Sequence, residues 1–156
     1  MGTKICMFTG HRTIATKDLS ILPEKLGDLL EKLIAKGYTE FRTGGAIGFD
    51  TLAALKVLEK KEKYPEVKLH LYLPCRDQDK KWEDNLKSAY HYVLERADSI
   101  RYCSESYNQG CMMKRNREMV NGAEICVAYC KKSSGGSAYT VGYAEKKGLT
   151  VINLSK

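Results

Sequence analysis

"YTEFRTGGAIGFDTLAALKVLEKKEKYPEVKLHLYLP", residues 38–74, contains one whole structural unit. Residues 38–44 read as a strand. Three glycines follow at 44, 45 and 48, then an apolar run with helical spacing over 49–64. Residues 66–74 alternate and stop at Pro74, as a strand does. Strand, helix, strand in this order is the crossover unit of a parallel sheet. Glycine inside an element costs about 0.5–1 kcal/mol relative to alanine. Three in five residues therefore mark a backbone that bends sharply or comes close to something.

The same alternation extends in both directions. "KICMFTG" (4–10) reads as a strand. Residues 19–37 read as a helix, with Leu22, Leu26, Leu29, Leu30, Leu33 and Ile34 on one stripe, Pro23 early and Gly37 past the end. Helices are predicted over 79–97, 110–123 and 136–148, and strands over 99–103, 124–130 and 149–155. The expectation is an α/β fold across 1–156 as one domain: a Rossmann-like three-layer sandwich, with a mostly parallel sheet of about six strands and helices on both faces. Crossovers should be right-handed. Ligands in such sheets bind outside the carboxyl ends of the strands, where the strand order reverses. The loops after strands one, two, three and five are the places to look.

Composition sets the class. The chain has 156 residues, 43% of them hydrophobic. No apolar stretch reaches the roughly 18 residues of a membrane helix. The amino terminus, "MGTKICMFTGHR", lacks the long apolar run of a signal peptide, and Cys6 stands where a myristoylation signal needs serine or threonine. A cytoplasmic protein is expected. The six cysteines include several in apolar contexts ("KICMF", "EICVAYC") that read as buried strands. Cys126 and Cys130 have no second pair at metal-ligand spacing nearby, so neither a metal nor a cofactor is expected. The net charge of +7 permits a polyanion or a phosphate-bearing small molecule, although many lysines alternate with acids on solvated helix faces.

Four loops and one helix carry candidate chemistry. After strand one, "TGHRT" offers Gly10 for a turn, then His11 and the forked donor Arg12. After strand two come Gly44, Gly45 and Gly48 at a helix start, where free N–H groups and the helix dipole both favour an anion. The spacing is neither GxGxxG nor the P-loop pattern. Asp50 lies in that helix's first turn, suited either to the dipole or to a ribose hydroxyl. After strand three, Arg76, Gln78 and Trp82 are within reach, with Trp82 either stacking on a base or packing on the sheet. Helix 110–123 holds Arg115 and Asn116, while Met112, Met113, Met119 and Val120 are expected to face the core. After strand five, "SSGGSAYT" repeats the glycine-turn design with Gly135 and Gly136, and Ser137 and Thr140 follow in the first turn.

These segments, in this order, resemble the SLOG superfamily and its YpsA-like branch over nearly the whole chain. "GGAIGFD" is similar to the glycine motif of the DNA-processing protein A Rossmann domain, which acts in single-stranded DNA uptake. "MMKRN" with a later GG turn resembles the LOG phosphoribohydrolases, which cleave nucleoside monophosphates. The resemblance implies a nucleotide or nucleotide-derived ligand at the strand ends. LOG enzymes carry PGGxGTxxE with a catalytic glutamate; here that position holds Gly142 or Tyr143, and Glu145 lies further on.

Three functions follow as expectations. The first is a sensor or carrier that binds a nucleotide-derived small molecule through Gly10, His11, Arg12, Gly44, Gly45, Gly48, Asp50, Arg76, Trp82, Arg115, Asn116, Gly135, Gly136, Ser137 and Thr140. The second is a nucleotide N-glycosidic hydrolase, whose carboxylate would be Asp50, Asp77 or Glu145. The third is a nucleic-acid-binding module, whose affinity should fall steeply with salt; exposed aromatic and basic residues do not interleave in the sequence as single-strand binders require. A homo-oligomer built through the helices stays open.

Overall fold

The computed structural model describes residues 4–155, so the ends of the expected 1–156 domain, residues 1–3 and 156, lie outside them. The strands are β1 (Lys4–Gly10), β2 (Tyr38–Thr43), β3 (Lys68–Leu73), β4 (Ser99–Tyr102), β5 (Ile125–Tyr129) and β6 (Thr150–Asn153). The helices are α1 (Leu22–Ala35), α2 (Phe49–Lys63), α3 (Asp84–Arg96), α4 (Cys111–Val120) and α5 (Gly136–Lys146). The strands form one sheet in the order β4-β3-β2-β1-β5-β6, and every pair is parallel. This is the expected Rossmann-like α/β fold.

Alternation along each strand divides the core in two. Cys6 and Phe8 of β1, with Ile125, Val127 and Tyr129 of β5, enter the core that α1, α2 and α3 cover. Met7, Cys126 and Ala128 point the other way, to Met119 and Val120 of α4 and Ala144 of α5. β5 is buried along its whole length, as a central strand covered on both faces must be. The chain builds outward from β1 through β4, then returns through α4 to lay β5 on β1's other side. Strand order therefore reverses between β1 and β5.

Aromatic packing fixes the loops at this reversal. Phe8 stacks on Phe41 at 6.0 Å and meets Phe49 edge-on at 6.3 Å, and Phe49 stacks on Tyr129 at 6.0 Å. All four rings are fully buried. Phe49 thereby pins the amino end of α2 over the carboxyl end of β1. The Tyr129 hydroxyl donates to Asp18 at 2.6 Å and accepts from the Ala15 N–H at 3.0 Å, tying down the segment that leaves β1.

Two helices start later than the sequence suggests. α1 begins at Leu22 because Pro23, which lacks an N–H, fits only in a first turn. α3 begins at Asp84, not at residue 79. Residues 79–83 have no apolar stripe to bury and form turns instead, with the Lys80 N–H on the Asp77 carbonyl and the Trp82 N–H on that of Asp79, both at 3.1 Å. Trp82 therefore sits on a loop. All six cysteines are unpaired; five are buried and Cys103 is half-buried. Among the described residues no helix is long and apolar enough to cross a membrane, and no group of three His, Cys, Asp or Glu could hold a metal ion.

Candidate functional site

A cavity of about 290 Å³ opens at the carboxyl ends of β1 and β5, where the strand order reverses. Three segments distant in sequence form its wall: residues 9–12 at the end of β1 and just beyond it, Ala46 and Asp50 before and within α2, and residues 134–137 at the turn into α5. Met112, Arg115, Asn116 and Met119 of α4 close it from the side.

The two glycine turns look alike in sequence but do different work. A Cβ on Gly44 would overlap the Arg115 guanidinium and the Asp50 carboxylate. One on Gly48, where φ is +85°, would run into the His11 and Arg12 carbonyls, and one on Gly10 would strike the Phe49 ring. The Phe49 N–H already donates to the His11 carbonyl at 3.1 Å. Gly45, at φ +70°, is crowded by Leu73, Gln78 and Tyr90. So the first turn is a close-packed joint between the β1 loop and α2, and of 44–48 only Ala46 reaches the cavity wall. At Gly135 and Gly136 a Cβ would meet nothing within 4 Å. That turn stands open, with Gly135 at φ +101° as the N-cap and no side chain bonded back to cap α5. Its first-turn amides and the helix dipole face the cavity without a resident acid.

Cations surround this open helix end. Arg12 and Lys132 line the cavity, are exposed, and form no ion pair or side-chain hydrogen bond among the described residues. Arg115 is buried and held differently. Nε donates to Asn116 Oδ1 at 2.8 Å, and Nη1 donates to the Gly44 carbonyl and, at 3.2 Å, to the Tyr72 carbonyl. It is a fixed buried charge rather than a swinging arm. Burial lowers its pKa from the usual arginine value.

Asp50 is the counter-charge, 5% exposed. Burial pushes its carboxyl up to about 6, against the pull of Arg115, of the Ala46 N–H bonded to Oδ2 at 3.2 Å, and of Arg12. His11 Nε2 accepts from the Lys131 N–H at 2.7 Å, so the ring hydrogen resides on Nδ1. Burial, then Lys132 and Lys131, lowers the His11 pKa from the usual histidine value.

The remaining residues singled out in the sequence divide clearly. Gly10, His11, Arg12, Asp50, Arg115, Asn116, Gly135, Gly136 and Ser137 meet at the cavity, whereas Gly44, Gly45 and Gly48 pack behind it. Thr140 is buried, and its hydroxyl donates to the Gly136 carbonyl at 2.9 Å within α5, away from the opening. Arg76 turns to Glu105 at 2.7 Å and lies over the Tyr102 ring at 4.2 Å. Trp82 lines a neighbouring cavity. Met112, expected in the core, is half-buried on the cavity wall, because Arg115 and Asn116 take the inner side of α4. Thr9, Ala46, Met112, Met119, Lys132 and Ser134 complete the wall unforeseen; the only signal for Lys132 was a basic pair just ahead of the glycines. Of the three carboxylates considered for hydrolysis, only Asp50 lines this cavity.

Comparison with known proteins places this architecture. The chain is 33% identical over 138 residues to the uncharacterized SPbeta prophage-derived protein YoqJ of Bacillus subtilis, covering 80% of this chain and 81% of that one. It is 26% identical to the UPF0398 protein BH1768 of Halalkalibacterium halodurans, over 74% of this chain and 62% of the relative. Among solved structures it resembles DNA processing protein A from Streptococcus pneumoniae (TM-score 0.69, 17% identity, 96% of this chain, 49% of that one). It also resembles DNA processing protein A from Helicobacter pylori, whose structure concerns single-stranded DNA binding (TM-score 0.68, 19% identity, 95% and 63%). The chain thus spans about half to two thirds of these two proteins, and at such identities the likeness is one of fold. A family model, YpsA, described as the YspA SLOG family, matches residues 6–151, a span that takes in both glycine turns and the point where strand order reverses, and the chain belongs to that family.

Proposed function

We propose that the cavity between β1 and β5 binds the phosphate of a nucleotide or nucleotide-derived small molecule, and that the chain acts as a sensor or carrier of it. The observation that carries this reading is the open amino end of α5 on the same cavity wall as Arg12 and Lys132, neither of which forms an ion pair or a side-chain hydrogen bond among the described residues. Free helix amides and two unpaired cations form a ready anion site. Buried Arg115 adds positive potential that no solvent screens. Asp50, balanced by Arg115, is suited to accept from a ribose hydroxyl.

The test is a thermal-shift and calorimetric screen of nucleoside mono- and diphosphates. A ligand that binds only the folded state raises Tm in proportion to the logarithm of its concentration. The Arg12→Ala/Lys132→Ala double variant removes two exposed, unpaired side chains, so it should fold normally and bind about tenfold or more weakly. No Tm rise with any nucleotide at millimolar concentration contradicts the reading.

A second reading, nucleotide N-glycosidic hydrolysis, rests on Asp50 alone: a buried carboxyl held near neutral pH on a cavity wall is suited to acid–base work. Free base released by the wild type and not by Asp50→Asn supports it.

A further inference from the structure

Beside the first cavity lies a second of about 600 Å³, and Arg12 and Met112 belong to the walls of both. The second is lined by Trp82 and Tyr107, with Lys80 and Lys81 at its rim. Trp82 is half-buried, braced edge-on against Tyr90 at 5.1 Å, and its indole N–H has no acceptor among the described residues. Tyr107 is 66% exposed with no partner for its hydroxyl among them, while its backbone N–H donates to Asp77 at 3.2 Å. Neither Lys80 nor Lys81 forms an ion pair among the described residues. The residues that do not interleave in sequence thus come together in space: two aromatic rings and three cations without an ion pair among the described residues line one hollow, whose wall also holds Gln78 and the Asp77 carboxylate near Lys80.

Resting on the phosphate reading of the first cavity, we propose that the second takes the aromatic base of the same ligand, whose linked phosphates cross Arg12: a nucleoside diphosphate or a derivative of one. Rings with accessible faces take planar bases, and lysines at the rim and a shared arginine take the charge between the two hollows. A single nucleic-acid strand would use similar groups. The first cavity, however, is a recess bounded by buried Thr9, Asp50, Arg115, Asn116 and Met119, which fits a terminal group better than the middle of a strand.

Trp82 is the chain's single tryptophan, so its emission reports on this hollow alone. The experiment titrates the four nucleoside diphosphates, inorganic pyrophosphate and a dT oligonucleotide, following both Trp82 fluorescence and binding heat. The expected result is that pyrophosphate binds with little change in emission, while at least one nucleoside diphosphate binds about tenfold more tightly and quenches it. Tyr107→Ser, an exposed change, should abolish most of that advantage and leave pyrophosphate affinity unaltered. If pyrophosphate binds and every diphosphate only equals it without quenching, the base site is overturned and the phosphate reading stands. If neither binds, both fall. Tighter binding of the oligonucleotide than of any diphosphate overturns the small-molecule assignment.

Discussion

Asp50 and Arg115 are kept at a cost. Each is 5% exposed, and each has a pKa shifted by burial against its charged form. A carboxyl moved from 3.8 to about 6 costs the folded state on the order of 3 kcal/mol once ionised. The sign is fixed by linkage. Between about pH 4 and 6 the folded chain holds this proton more tightly than the unfolded chain, so this group's contribution to stability falls as pH rises through that window. Carboxylates held low by partners, such as Glu31 beside Lys60, act in the opposite direction as pH falls towards about 2. Comparing Asp50→Asn with wild type isolates the Asp50 part. The variant should match wild type near pH 4 and melt higher at pH 8, by the equivalent of about 1–3 kcal/mol. A variant that melts lower than wild type at pH 8 would show that Arg115 depends on the charge more than on its backbone carbonyls. Asp50 was visible in the sequence as a first-turn carboxylate, but its burial was not. That depends on Gly44 and Arg115, the second 65 positions further along the chain, arriving at the same spot.

The helix beginnings at α2 and α5 show why similar motifs diverge. Both follow a parallel strand and a glycine turn. α2 meets the His11 carbonyl and carries its own acid, whereas α5 has neither. A tight turn between packed elements and an open anion cradle both require glycine, so composition alone cannot separate them. The neighbour decides: the carboxyl end of β1 runs directly against α2 through Phe49, and nothing occupies the corresponding space at α5. Ser137→Asp tests the difference. A carboxylate in the first turn of α5 should stabilise the fold by about 0.3–1 kcal/mol, read as a small rise in Tm. It should also weaken phosphate binding by about tenfold or more, because it puts like charge where the anion sits. Unchanged phosphate affinity would move the anion away from α5.

The sheet as a whole was legible because strand–helix alternation is strong and the buried strands are apolar. The parallel arrangement and helices on both faces follow from that pattern. Strand order does not; it emerges only when α4 carries the chain back across the sheet and makes β5 the neighbour of β1. That return puts Arg12 of the first loop beside Lys132 of the fifth and forms the cavity between them. The second hollow was hidden for a similar reason, since Trp82 and Tyr107 lie on loops after different strands. The most direct measurement is the movement of assigned backbone amide resonances on adding inorganic pyrophosphate to the full chain. The predicted result is that the largest shifts fall on Gly135, Gly136, Ser137 and Arg12, with Gly44 and Gly45 moving far less. Saturation with no shift at 135–137, or with the largest shifts at the β3–β4 edge, would contradict the account.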